Sequence, residues 1–203
     1  MTSLEIFAYK TSVLVKLQPE VLPQMKQVFF FLLLVLMTTI VAAGQTPAEA
    51  ARIRTREQLG QVLDRVGPNL KIAFRQSQKE PFNFVGVLRE GLTNAESFEV
   101  VIGVTTDQTI GFRIFPHYNG AYINVDKVKN SLGLMRQLLR LSDTNFLYWG
   151  ADQGGDIFAG YTFTLESGFP EAAITIVLRS IPKLDEFVGR MKPNVDGGPA
   201  PVR

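Results

Sequence analysis

The sequence predicts an α+β fold, an antiparallel β-sheet packed by helices in the order α–β(4)–α–β(2)–α. Three observations predict it. Period-2 alternation recurs in short runs between residues 70 and 115 and again at 157–165. Short polar connections separate these runs, which favours antiparallel neighbours over crossovers. Apolar residues at helical spacing fill three further stretches, before, between and after the strands.

The first helix spans about 48–66. Thr46-Pro47-Ala48-Glu49 combines a capping hydroxyl, a first-turn proline and Glu three residues after Thr. Leu59, Val62, Leu63 and Val66 then recur at i, i+3, i+4 and i+7. Gly67-Pro68 ends the helix, through a glycine able to turn left-handed and a residue that cannot continue it. Arg52, Arg54 and Arg56 read as a solvated basic cluster near its start.

Four strands follow. Leu70, Ile72 and Phe74 alternate with Lys71, Ala73 and Arg75. SQKEP at 77–81 turns the chain into a second strand at 82–89, FNFVGVLR. GLTNAE at 91–96 leads to a third, with Phe98, Val100, Ile102 and Val104 on one face. After the turn at 105–108, Ile110, Phe112 and Ile114 mark the fourth. Pro116 to Gly120 reads as a turn, and 121–124 as a short strand or loop.

Asp126 is placed to cap the second helix. Its expected apolar stripe is Val128, Leu132, Met135, Leu138 or Leu139, and Leu141. A hairpin comes next: Phe146 to Trp149, the turn Asp152-Gln153-Gly154-Gly155-Asp156, and the alternating run 157–165. Gly168-Phe169-Pro170-Glu171 opens a helical stretch to about Met191, which Pro182 must kink or divide because it has no amide hydrogen to give. Residues 192–203, KPNVDGGPAPVR, carry no hydrophobic pattern and read as a flexible tail.

Ahead of the domain lies an address. Met25-Lys26-Gln27 precedes sixteen uncharged residues, VFFFLLLVLMTTIVAA, ending in Val41-Ala42-Ala43. A basic start, an apolar run and small residues at its end make a secretory signal peptide over 25–43, with cleavage after Ala43. A membrane anchor is the alternative, but spanning needs about 20 residues. Residues 1–24 contain Glu5, Glu20, Pro19 and Pro23, unlike a signal start, and read as a start-site extension ahead of Met25. Loss of residues 1–43 leaves 160 residues at a net charge of +1, one domain with its tail (44–191 and 192–203) in a periplasmic or secreted setting.

The 203 residues include no cysteine and one histidine, and the whole chain carries +2. That excludes a disulfide framework, a thiolate nucleophile and a multi-histidine metal site. A near-balanced charge argues against a nucleic-acid partner. His117 has no Gly-x-Ser-x-Gly elbow to serve. Asp152 and Asp156 are two carboxylates where a calcium loop needs more, and Asp and Gly are what a turn requires. Glu166 with Glu171, and Glu96 with Glu99, are pairs by sequence alone, and helix-start or strand-flank roles account for them.

Tyr148 and Trp149 are the candidate binding residues. Being consecutive on a strand, they face opposite sides, so one joins the core and the other meets solvent or a partner.

Residues 122–191 resemble the YbjN-type family, whose fold is similar to that of type III secretion chaperones. The resemblance rests on YINVDKVKNSLGLMRQLLRLSDTNFLYWGADQGGDIFAGYTFTLESGFPEAAITIVLRSIPKLDEFVGRM: a helix, a short polar break, a strand, a Gly/Asp turn, a second strand and a closing helix. It implies a chaperone-like fold and protein-partner binding or regulation, and brings no catalytic residues with it. The secretion signal departs from those chaperones, which work in the cytoplasm. The expectation is therefore an exported, non-catalytic protein-binding or regulatory domain. It uses no cofactor, meets a protein partner or a second copy as a homodimer, and contacts no membrane once the signal is removed. The alternatives are an exported hydrolase with dispersed polar residues and, if 28–43 is retained, a membrane-anchored sensor.

Overall fold

The computed structural model describes residues 46–198. The expected start-site extension at 1–24 and signal peptide at 25–43 lie outside the described residues. Within them the fold is α+β, with one antiparallel sheet of seven strands. Helix α1 (Pro47–Val66) is followed by β1 (Arg75–Gln76), β2 (Asn83–Leu88), β3 (Ser97–Val104), β4 (Thr109–Tyr118) and β5 (Ala121–Tyr122). Then come α2 (Ser131–Thr144), β6 (Tyr148–Ala151), β7 (Ile157–Thr164), α3 (Glu171–Ser180) and α4 (Leu184–Asp196). The strands lie in the order β1-β2-β3-β4-β7-β6, and β5 pairs with the end of β4. Compared with the sequence reading there is one extra two-residue strand, and the closing helix is in two pieces.

Alternation sets the two faces. Phe98, Val100, Ile102 and Val104 of β3 and Ile110, Phe112 and Ile114 of β4 are buried beneath the helices. The residues between them, among them Glu99, Val101, Arg113 and Phe115, occupy the opposite face and keep solvent contact. The buried face meets Leu59, Val62 and Leu63 of α1, Leu134, Leu138 and Leu141 of α2, and Ile174, Val177 and Val188 of α3 and α4.

Local chemistry explains the ends. Thr46 Oγ1 accepts from the Glu49 amide at 3.2 Å, as an N-cap must. Arg52 is not solvated: it donates twice to the Val104 carbonyl, at 2.9 and 2.8 Å, with its guanidinium 3.6 Å from the Phe82 ring centre. Gly67 is right-handed, and Lys71 takes the left-handed conformation instead (φ 58°). Gly67 is required for another reason, since a Cβ there would lie 2.5 Å from the Ile72 carbonyl oxygen.

Several expectations need correction. Residues 70–74 do not form a strand. Leu70 closes a 3₁₀ turn and Lys71 redirects the chain, so only Arg75 and Gln76 pair with β2. Ile72 and Phe74 still face inward because the segment crosses over Gly86, where a Cβ would meet their side chains at 2.5–2.7 Å. The turn after β4 is only Asn119-Gly120, both at positive φ, the type I′ pattern of a two-residue hairpin. His117 is therefore a strand residue. On α2 the cap is Asn130, not Asp126. Leu138 and Leu141 are buried as expected, but Leu134 replaces Leu132 and Met135, which are exposed together with Leu139.

Pro182 does divide the last helical stretch, through a 3₁₀ turn at Ile181–Lys183. Residues 192–196, expected in the tail, are helical. Asn194 holds them in place: it accepts from Asn130 Nδ2 at 2.9 Å and donates to Gln137 Oε1 at 2.7 Å. The amides of Lys129 and Asn130 donate to the Val195 and Asn194 carbonyls, and Tyr118 Oη donates to Asp196 at 2.8 Å.

Asp185 is the one buried charged side chain among the described residues. Its carboxylate accepts from three successive amides of the β2–β3 loop: Thr93 at 2.8 Å, Asn94 at 2.9 Å and Ala95 at 2.7 Å. Asn94 Nδ2 adds a fourth donor at 3.2 Å. Burial pushes this carboxyl up, but the Ala95, Thr93 and Asn94 donors together outweigh it and hold it below the ordinary carboxylate value. A folded-state pKa depressed in this way stabilises the fold above the unfolded value, near 3.8, and the contribution disappears as pH falls through the folded value. Asp185→Asn keeps the volume but turns an NH₂ toward amide donors. We expect it to lower stability at pH 7 by about 3 kcal/mol in urea denaturation. The mutant should also lose less further stability than the parent as the medium is acidified below about pH 4.

Candidate functional site

Strand β6 places its two aromatic residues on opposite sides of the sheet. Trp149 is 6% exposed and packs edge-on to Phe187 of α4, 6.4 Å between ring centres. Its indole Nε1 has no hydrogen-bond partner among the described residues, so shape alone holds the ring. Tyr148 is 42% exposed on the face away from the helices. It lies over Gly160, where a Cβ would come 2.5 Å from the phenol ring. Of the two binding candidates, only Tyr148 is available to a ligand.

Tyr148 begins a row of aromatic rings across β6, β7, β4 and β5. It meets Phe158 at 6.1 Å; Phe158 meets Phe115 at 5.6 Å; Phe115 meets Tyr122 at 5.5 Å. His117 ends the row, 4.1 Å from Tyr122, and no hydrogen bond joins its ring to a serine or carboxylate among the described residues. The Arg113 guanidinium stands 5.0 Å over Phe158. Beside this row is a groove of about 330 Å³ lined by Val101, Gly103 and Gly111 and bordered by Asn83, Arg113 and Tyr148. The remaining polar groups there are threonine hydroxyls, with no carboxylate or imidazole to act as a base.

The carboxylates singled out by sequence are not brought together. Asp152 Oδ1 accepts from the Gly154 and Asp156 amides at 2.9 and 3.0 Å, shaping the hairpin turn. Asp156 accepts from the buried Asn124 side chain at 2.8 Å. Glu171 pairs with Arg65, and Glu96 accepts from the Gly120 amide at 2.9 Å. No cluster of three or more metal-type ligands occurs among the described residues.

A second surface was not anticipated. Six large hydrophobic side chains are exposed among the described residues. Five of them, Leu132, Met135, Leu139, Phe146 and Tyr148, fall between residues 132 and 148. Leu139 is the most exposed, at 71%. At about 100° per residue, Met135 and Leu139 share a shoulder of α2 with Ser142. Ser142 Oγ receives the Trp149 amide at 2.7 Å, which places that shoulder at the free edge of β6. The opposite shoulder carries Gln137, which donates to the Arg190 carbonyl of α4 at 2.8 Å. The stripe therefore forms an outer wall of the domain beside β6. Its helical spacing is visible in the sequence, where it predicts burial.

Compared with known proteins, the chain matches no family model, no curated protein and no solved structure.

Burial, and then the bond to Glu99, push the Tyr122 phenol up to about 12. A raised folded-state pKa stabilises the fold fully below about pH 10 and ceases to do so as pH climbs through the folded value. In an ultraviolet absorbance titration, Tyr122→Phe should remove the last tyrosine to ionise before unfolding. Glu99→Gln should shift that step toward lower pH.

Proposed function

We propose that this is an exported, non-catalytic protein-binding domain that docks its partner through the wall formed by α2 and the segment after it. One observation carries the reading: four of the six exposed large hydrophobic side chains, Leu132, Met135, Leu139 and Phe146, lie on α2 and the segment that follows it. Scattered exposed apolar residues are ordinary, but concentration on one helix shoulder and the segment after it marks an interaction surface; Tyr148 stands round the β6 edge, on the other face of the sheet. Tyr148, with a large apolar ring and a polar tip, is a favoured interface anchor. The helix–hairpin–helix order over 122–191 supports the chaperone-like, YbjN-type class as the architecture, and with it a regulatory binding role. The segment 25–43 supports delivery to the periplasm or beyond.

Two experiments test this. A photo-crosslinking residue at position 139 or 146 should trap a discrete protein adduct in cells, and one at Lys79, in the β1–β2 turn, should not. Leu139→Asp should abolish the adduct formed from position 146 while moving the melting temperature by only about 1 °C, because it is exposed. An adduct unaffected by Leu139→Asp counts against the wall. Separately, mass spectrometry of the exported protein should find Gly44 as its first residue. Residues before Gly44 on the exported form would overturn the cleavage.

A further inference from the structure

Resting on the protein-binding reading, we propose that the α2 wall takes an acidic amphipathic segment of another protein rather than a second copy of this chain. Three observations carry it: the charge beside the stripe, the symmetry of α2, and the closed edge of β6.

Leu132, Met135 and Leu139 run along about 10 Å of helix. Arg136 and Arg140 are exposed on the flank of that stripe. Neither takes part in the ion pairs found among the described residues, which are Arg56–Glu57, Arg65–Glu171 and Lys71–Glu90. Lys127 and Lys129 are exposed just ahead of the helix, with the exposed Asp126 beside them, and Asp143 is the only acid within it, so four cations meet two acids here. A chain of near-zero net charge thus concentrates positive charge around its most exposed apolar stripe. Carboxylates on a partner would complement it, steering encounter and fixing register.

A second copy fits poorly. In an antiparallel two-fold pairing with Leu132 opposite Leu139, the axis passes between Met135 and Arg136 and brings the two Arg136 side chains together. Like charges meet in that pairing. Strand addition fits poorly too. At the free edge of β6, Ser142 Oγ receives the Trp149 amide at 2.7 Å while its own proton goes to the Leu138 carbonyl at 2.9 Å, which occupies the donor in the middle of a four-residue strand. What remains is side-chain packing of an amphipathic segment along α2.

The test uses the full chain and two fluorescein-labelled helical peptides of about twenty residues, the length that gives a stable helix of several turns. One has a leucine face and glutamates elsewhere; in the other, lysines replace the glutamates. Fluorescence anisotropy should show binding of the glutamate peptide and at least tenfold weaker binding of the lysine peptide. Arg136→Glu with Arg140→Glu should weaken the glutamate peptide about tenfold, and added salt should weaken it progressively. These residues are exposed, so circular dichroism should be unchanged. Equal binding of both peptides, or no effect of the arginine changes, overturns the acidic preference. The protein-binding reading survives that outcome if Leu139→Asp still abolishes the cellular adduct. A concentration-dependent dimer in sedimentation that Leu139→Asp dissolves would show a second copy on the wall. Binding to vesicles of anionic phospholipid, competing with the peptide, would show a membrane there. Either result overturns the proposal.

Discussion

The arrangement of the helices depends on the carboxylate of Asp185. It sits at the start of α4, buried, and ties that helix to three successive amides of the β2–β3 loop. An apolar contact in its place would leave those amides without partners at substantial cost. The same contact fixes Asn94, which lies over Gly189 one turn further along α4; a Cβ at that glycine would meet the Asn94 side chain at 2.8 Å. Position and rotation of α4 are thus both set from the far end of the sheet.

From α4 the constraint passes to α2. The helices meet through amides: Asn194 between Asn130 and Gln137, and the Arg190 carbonyl receiving Gln137. Directional bonds of this kind fix rotation better than apolar contact, which tolerates sliding. With α2 held on one shoulder by α4 and on the other by Ser142 at the β6 edge, its third side must face outward. That side presents Leu132, Met135 and Leu139 with Arg136 and Arg140. The exposed stripe thus follows from how the helix is anchored.

Much of the fold was legible from the residues. The alternation of β3 and β4 predicts their buried faces, and Thr46-Pro47 and Pro182 mark real boundaries. Three features were not legible. The inward spacing of Ile72 and Phe74 is real, but period 2 cannot tell a segment paired within a sheet from one crossing over Gly86. On α2, leucines and a methionine occur on two faces, and periodicity alone cannot choose which of them is buried. The choice is made by Gln137, Asn130 and Asn194, polar residues that leave no mark in a hydrophobic pattern. For the same reason residues 192–196 look like tail until their amide partners are seen. At the candidate site, the opposite facing of Tyr148 and Trp149 follows from strand geometry, but which of them is exposed depends on where α4 brings Phe187.

The domain thus has two uncovered regions of different character: the sheet face, with its aromatic row and groove, and the α2 wall, with its apolar stripe and arginines. On the sheet face most rings cover one another, and Phe158 is buried although no helix lies over it. The leucines of the wall have no such cover, and so docking falls to the wall. Hydrogen–deuterium exchange of the full chain, with and without its crosslink-identified partner, tests that assignment most directly. Added protection is expected across residues 132–148 and none across 97–104 and 109–118. Protection confined to those two strands, with 132–148 unchanged, would contradict it.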